Sequence, residues 1–257
     1  TGDSTVSNVL TITAGTFSAD NDTWHLTGSG TPFLMGDTFT ASTSTISYEG
    51  TAATNVASTV YYGLQFSPAS GTPTYTLPAG AFSTTHFTIT GAGTATVTAA
   101  TNNTTINVGG NLSIDADGVF TKGSDFTFNG ATTPSTWTDN NPVKSDIGVV
   151  TINGTTKAIN LGSSVKATSV SVGADDTLGL SSYTLTLTGS GQGVAMPFQV
   201  SGTFNEGTGT VEFTGAAATD IENETYYNLT FNGAGTFTST GDSTVSNVLT
   251  ITAGTFS

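Results

Sequence analysis

The sequence predicts an all-β chain wound as a parallel β-helix, a β-solenoid of tandem repeats. Three observations carry this: a long segment recurs, apolar residues alternate with hydroxyl residues, and charge is scarce. Residues 1–18, TGDSTVSNVLTITAGTFS, recur unchanged as residues 240–257. A match of that length marks a duplicated unit, and self-similarity at fixed period is the signature of repeat architectures.

A shorter period lies inside the long one. TISYEGTAATNVASTVYYGLQF, residues 45–66, aligns without gaps on TVEFTGAAATDIENETYYNLTF, residues 210–231. HLTGSGTPF at 25–33 is similar to TLTGSGQGVAMPF at 186–198. GVFTKGSDFTFNG at 118–130 is similar to 202–215 and 36–50. The glycines closing these last blocks, Gly50, Gly130 and Gly215, are spaced so that three diverged units of similar length fill one period. The chain therefore divides into the end of one repeat unit (1–50), two whole units (51–130 and 131–215) and the start of another (216–257).

Within these units the alternation is of period two. In TVSNVLTIT, Val6, Leu10 and Ile12 share one face, while Thr5, Ser7, Thr11 and Thr13 take the other. The pattern returns at Tyr62, Leu64 and Phe66, at Ile106 and Val108, at Leu112 and Ile114, at Leu185 and Leu187, and at Tyr227, Leu229 and Phe231. Strands with one buried and one hydroxyl-lined face read this way. Between them stand AGT, TGSG, FNGAG and GADD, rich in residues that accept positive φ and turn the chain. The predicted core is Val6, Leu10, Ile12, Leu64, Phe66, Ile106, Ile114, Phe128, Ile152, Leu187, Phe213 and Leu229.

An array of β-sandwich modules, each of about 80 residues, is the alternative architecture. The solenoid is preferred because the blocks follow one another without linkers and vary in length at turns. Low charge also suits it. A charge repeated every ~4.8 Å along a ladder repels its own copy, whereas Thr and Asn bond to theirs.

Four lysines and no arginine stand against 18 acidic residues, a net charge of −14. Nucleic acid and anionic lipid are poor partners for such a surface, since both need Lys and Arg. Cysteine is absent, so neither disulfides nor thiolate metal sites hold the fold. No apolar run is long enough for membrane insertion as a helix, no signal peptide is seen, and the missing initiating Met suggests an excerpt or processed product.

Candidate chemistry is sparse. His25 and His86 fall on the solvent side of the runs TWHLT and THFTI if Trp24, Leu26, Phe87 and Ile89 are inward. Paired aspartates at Asp20 and Asp22, Asp115 and Asp117, and Asp175 and Asp176 have the residue types of a glycoside-cleaving acid and base. Here they read as turn residues. Asp20, Asp22, Asp115 and Asp117 are also calcium candidates, as oxygen ligands in turns, although neither cluster completes an EF-hand loop. No other cofactor is expected. Sequons place glycosylation candidates at Asn21, Asn103, Asn153 and Asn223. Thr-x-Thr pairs such as Thr11/Thr13 and Thr38/Thr40 read as solvent-facing strand positions.

The segment YYNLTFNGAGTFTSTGDSTVSNVLTITAGTFS, 226–257, and the INVGGN strand at 106–111 resemble repeats of giant tandem-repeat β-helical bacterial cell-surface proteins, the filamentous adhesin-like stalks. That resemblance implies an extracellular, cell-surface location, a structural role and no enzymatic activity. The expected function is a fibre or stalk whose partners are further copies of the same repeat, head to tail, at an axial repeat of roughly 50 to 60 Å for ~11 or 12 coils. A carbohydrate- or surface-binding adhesin module is the alternative, with Tyr61, Tyr226 and Trp137 exposed toward surface glycans. Neither end is expected to be capped: Val245, Leu249 and Ile251 repeat Val6, Leu10 and Ile12, and no helix, charge cluster or proline shields them.

Overall fold

The computed structural model describes residues 2–123, 125–131 and 134–257. It is all-β, with parallel strands stacked as a β-solenoid of about 11 turns. The one helical piece among the described residues is the 3-10 turn Gly193–Ala195. Every pairing between these strands for which a register is defined is parallel, which excludes the sandwich alternative, since sandwich strands run antiparallel. The chain forms two compact units, Thr1–Asp125 with Asn140–Val143, and Phe126–Asp139 with Lys144–Ser257.

In the first unit, each coil contributes short strands to three ladders. One ladder runs from Ser4–Val6 through Thr23–Leu26, Thr45–Tyr48, residues 63–66 and 86–89, to Leu112–Ile114. Its inward column is Val6, Leu26, Tyr48, Phe66, Ile89 and Ile114, and all but Val6 are buried. A second ladder pairs Leu10–Ile12 with Phe33–Met35, and later stacks Thr54–Asn55, Thr74–Thr76, Thr96–Thr98 and Val119–Thr121. The third pairs Thr16–Ser18 with Thr38–Thr40, and later residues 81–84 with Thr105–Val108. Coil length is elastic: the coil that brings Leu64 onto Ile46 is shorter than the one that brings Leu112 onto Phe87.

The second unit repeats this logic. Ala167, Leu187, Phe213, Phe231 and Ile251 form one inward column. One long coil, from Val170 to its partner Phe198, carries its excess in the turn Gly193–Ala195. Insertions therefore sit at corners, where they leave the ladder undisturbed.

The sequence repeat is also a structural one. Thr45–Tyr48 and Thr210–Phe213 are strands at equivalent places, as are Thr54–Asn55 and Thr219–Ile221. In both copies a buried tyrosine hydroxyl donates four residues back, Tyr61 to Ala57 O at 2.7 Å and Tyr226 to Glu222 O at 2.8 Å.

Two expectations about the core are corrected. Val6 and Leu10 are half-buried, not buried, because no rung of the described residues lies beneath the first coil; the other ten predicted core residues are buried. Tyr62 and Tyr227 are not inward. Their neighbours Tyr61 and Tyr226 are buried instead, because the coil turns a corner between the two halves of the run. Gly63 and Leu64 are both buried in succession there, so the alternation changes phase. A Cβ at Gly63 would meet Thr45 Oγ1 at 2.5 Å, whereas the second copy carries Asn228 over Thr210 at the equivalent place. In the second copy the register shifts between Tyr226 and Asn228.

Candidate functional site

The predicted polar sites are scattered among turns. Asp20 is exposed at φ 51° and accepts from the Ser18 hydroxyl at 3.2 Å, while Asp22 accepts from the Gly2 amide at 3.1 Å. Asp115 accepts a short 2.5 Å hydrogen bond from the Thr90 hydroxyl, and Asp117 is exposed beside it in the turn. Each of the three carboxylates with a bond therefore holds a local or neighbouring-coil donor. Among the described residues no group of three or more His, Asp or Glu is placed to hold a metal ion. Asn21, Asn103, Asn153 and Asn223 are all at least partly exposed.

The histidines lie on the outer side. His25 Nδ1 is 2.6 Å from Glu49 Oε1, which also accepts from the Ser47 hydroxyl at 2.8 Å. His86 meets the Tyr62 ring edge-on at 5.3 Å and accepts from the Asn111 amide at 3.3 Å. Trp24 is half-buried, edge-on to Phe17 at 4.7 Å.

The aromatic residues expected to face glycans do not. Tyr61, Tyr226 and Trp137 are all buried, each on the inward phase of its strand. Burial pushes the Tyr226 hydroxyl well above its ordinary range, with Glu222 and Glu224 adding to the effect. Outside, a groove of about 370 Å³ runs along Phe39, Thr40, Ser42, Val60, Tyr62 and Thr85 in the first unit.

Sequence reasoning missed a buried polar cluster. Lys157 is buried and donates from Nζ to Ser135 Oγ at 2.8 Å. Burial pushes its pKa down, opposed by the Asp176 carboxylate. Asp176, also buried, accepts from the amides of Lys157 at 2.7 Å and Gly154 at 3.1 Å. A signal was present: Lys157 shares the inward phase of Ile159 and Leu161. The cluster is paired inside the fold and ties a turn to its neighbouring coil.

Several apolar residues are exposed together at the last coil. Thr244–Phe256 pairs in parallel with Thr225–Ser239, placing Leu249 against Leu229, Ile251 against Phe231 and Phe256 against Phe237. These are inward positions, yet Leu249, Ile251 and Phe256 are exposed, because no further rung of the described residues covers them. Phe256 stacks on Phe231 at 5.0 Å on one side only. Ile221, Leu229, Val245, Leu249 and Phe256 line a depression of about 300 Å³ opening on this side. On that side no rung of the described residues covers the apolar positions or the strand edge.

No helix among the described residues is long and apolar enough to cross a membrane. In comparisons with known proteins, no family model, curated protein or solved structure matches this chain.

Proposed function

We propose that this chain is one segment of a non-enzymatic structural stalk at a cell surface, lengthened by further copies of the same repeat, head to tail. One observation carries the reading. Residues 1–18 recur unchanged as residues 240–257, and in both places they form rungs of parallel ladders, so the same unit is used more than once along one solenoid.

The likeness of 226–257 to giant bacterial stalk repeats supports the same reading, and with it an extracellular location. A net charge of −14 speaks against nucleic acid as a partner. Asp20, Asp22, Asp115 and Asp176 accept from local or neighbouring-coil hydroxyls and amides, which supports a turn-stabilising role for the acidic pairs. Electron microscopy of native material tests the proposal: long unbranched filaments are expected, and compact, evenly sized particles would refute it.

The adhesin alternative keeps one support, the outer groove along Thr40, Ser42, Tyr62 and Thr85, where hydroxyls flank an aromatic ring. A glycan array separates the two: a pure stalk binds no sugar on it.

A further inference from the structure

One coil inside the first unit is short, and its course opens the outer groove. The Ala57 amide donates to the Tyr48 hydroxyl at 3.0 Å and the Tyr61 hydroxyl donates to Ala57 O at 2.7 Å, which holds this coil inward. It reaches the third ladder only with Val60 and Tyr61, which pair upward with Ser83 and Thr84. Below them, Thr38–Thr40 pairs with Thr16–Ser18 and with no later strand among the described residues. The ladder is therefore broken between these two rungs. The Thr38 amide donates to Gly15 O at 3.2 Å and Thr40 O accepts from the Ala19 amide at 3.0 Å, so the alternate residue Phe39 turns its own amide and carbonyl toward the break.

The groove of about 370 Å³ lies in this break, with Phe39, Thr40, Ala41 and Ser42 on one wall and Val60 and Tyr62 on the other. None of these side chains is charged. Phe39 is only half-buried although its neighbour Phe17 shares its phase, and Val60 is 64% exposed. We propose that the break is a β-augmentation seat for an extended, uncharged segment of another protein, with small apolar residues inward and Ser or Thr outward. The strand edges on the walls supply its main-chain hydrogen bonds. Tyr61 already fills the inward column between Phe39 and Phe82, at 6.4 and 6.2 Å, which leaves space only for small inward side chains. Outward positions continue the hydroxyl column of Ser18 and Thr40. The seat does not depend on how the chain is lengthened.

The aligned block of the second unit has the same break, defended by charge. There Thr203–Asn205 pairs with Thr177–Gly179 and with no later strand among the described residues, and Phe204 meets Tyr226 at 6.0 Å as Phe39 meets Tyr61. Glu206, Glu222 and Glu224 stand where the first unit has Ala41, Ala57 and Thr59. Glu222 Oε2 accepts from the Val200 amide at 3.2 Å, a bond that Ala57 cannot offer to the aligned Met35. Charged side chains at a strand edge block the addition of another strand. One break is guarded in this way, and the one that holds the groove is neutral.

The test uses the chain 1–257 and a blocked synthetic peptide, TATVTA, with the sequence of residues 94–99. In the solenoid that segment already forms a parallel rung with Val97 inward and buried. Amide hydrogen exchange is read at Phe39. Peptide at about 1 mM is expected to slow it at least about fivefold. The same peptide with Pro at the place of Thr96, which lacks a donor and cannot extend a ladder, is expected to leave it unchanged. Ala41→Glu, which brings the second unit's carboxylate to the seat, should abolish the protection. In that variant the Phe87 amide, bonded to Asn111 O at 3.0 Å, should exchange as before, which shows the fold intact. Equal protection by the two peptides, or none by TATVTA, would overturn the proposal. Binding of a neutral glycan that Ala41→Glu removes, with no protection by the peptide, would overturn it in favour of a sugar site.

Discussion

The first coil and the last are one sequence in two surroundings. Ile12, with Met35 above it, is 5% exposed; Ile251, with Phe231 below it and nothing described above, is 50% exposed. Phe17 is half-buried between Trp24 and Phe39, whereas Phe256 keeps one bare side. The turn glycines Gly15 and Gly254 share a left-handed φ, 83° and 84°, but burial is not shared. In a solenoid the strand pattern is written in each coil, but stability resides between coils, because each repeat unit can bury its apolar face only against the next.

The widest gap is expected between two identical substitutions. Ile12→Asp should cost of order 3 kcal/mol or more, since it buries an unpaired charge under Met35, whereas Ile251→Asp should cost less than about 1 kcal/mol. Leu10→Asp, at a half-buried site, should fall between them. Urea denaturation of the three variants checks the order, and equal losses at Ile12 and Ile251 would erase the contrast.

Glycine substitutions should reverse that ranking. Gly15 and Gly254 share their positive φ, but a Cβ at Gly15 meets nothing within 4 Å, while one at Gly254 meets the carbonyl oxygens of Gly233 and Gly235 at 2.5 Å. Gly15→Ala should cost about 1 kcal/mol for its backbone alone, and Gly254→Ala clearly more. The last coil is crowded from below where the first is free, and thermal unfolding of the two variants measures the difference.

A smaller effect separates the coils by pH. Asp37 is held below its ordinary value of 3.8, first by the Gly15 amide and then by the Thr38 hydroxyl. Its support for the first coil is complete above that value and is lost as pH falls through the lower folded one. Glu224 lies in the rung under Thr244, whose amide donates to the Glu224 carbonyl at 3.0 Å. Burial pushes the Glu224 carboxyl up, opposed by the Thr225 amide and reinforced by Glu222 and Glu206. Ionising it therefore costs stability, which returns as pH falls through the raised value toward 4.5. Acidification should tighten Thr244 before it loosens Gly15. Exchange of those two amides, corrected for intrinsic pH dependence, should show opposite signs.

Much of this architecture is legible in the sequence because one rule governs each coil. Ile106 with Val108, and Leu185 with Leu187, alternate within single straight strands, and both pairs are buried. The rule fails where a strand bends. YYGLQF reads as one alternating run, yet the phase break between Gly63 and Leu64 exchanges the roles of Tyr61 and Tyr62, and no period-two pattern records a corner. Pattern reading therefore sets Tyr61 and Tyr226 outside when they belong inside, whereas Trp137 is inward in a strand whose alternation is unbroken. Lys157 escapes it for the converse reason: its phase is inward, but its burial rests on Ser135 and Asp176, which are distant in sequence and brought alongside only by coiling.

Amide exchange at the paired positions Leu10 and Leu249 tests most directly the claim that a neighbouring coil, and not the sequence of the rung, closes this structure. The intrinsic rates are matched, because Val9 precedes Leu10 as Val248 precedes Leu249. In the chain 1–257, Leu249 is predicted to exchange at least about tenfold faster than Leu10. Equal protection at the two leucines would contradict the account.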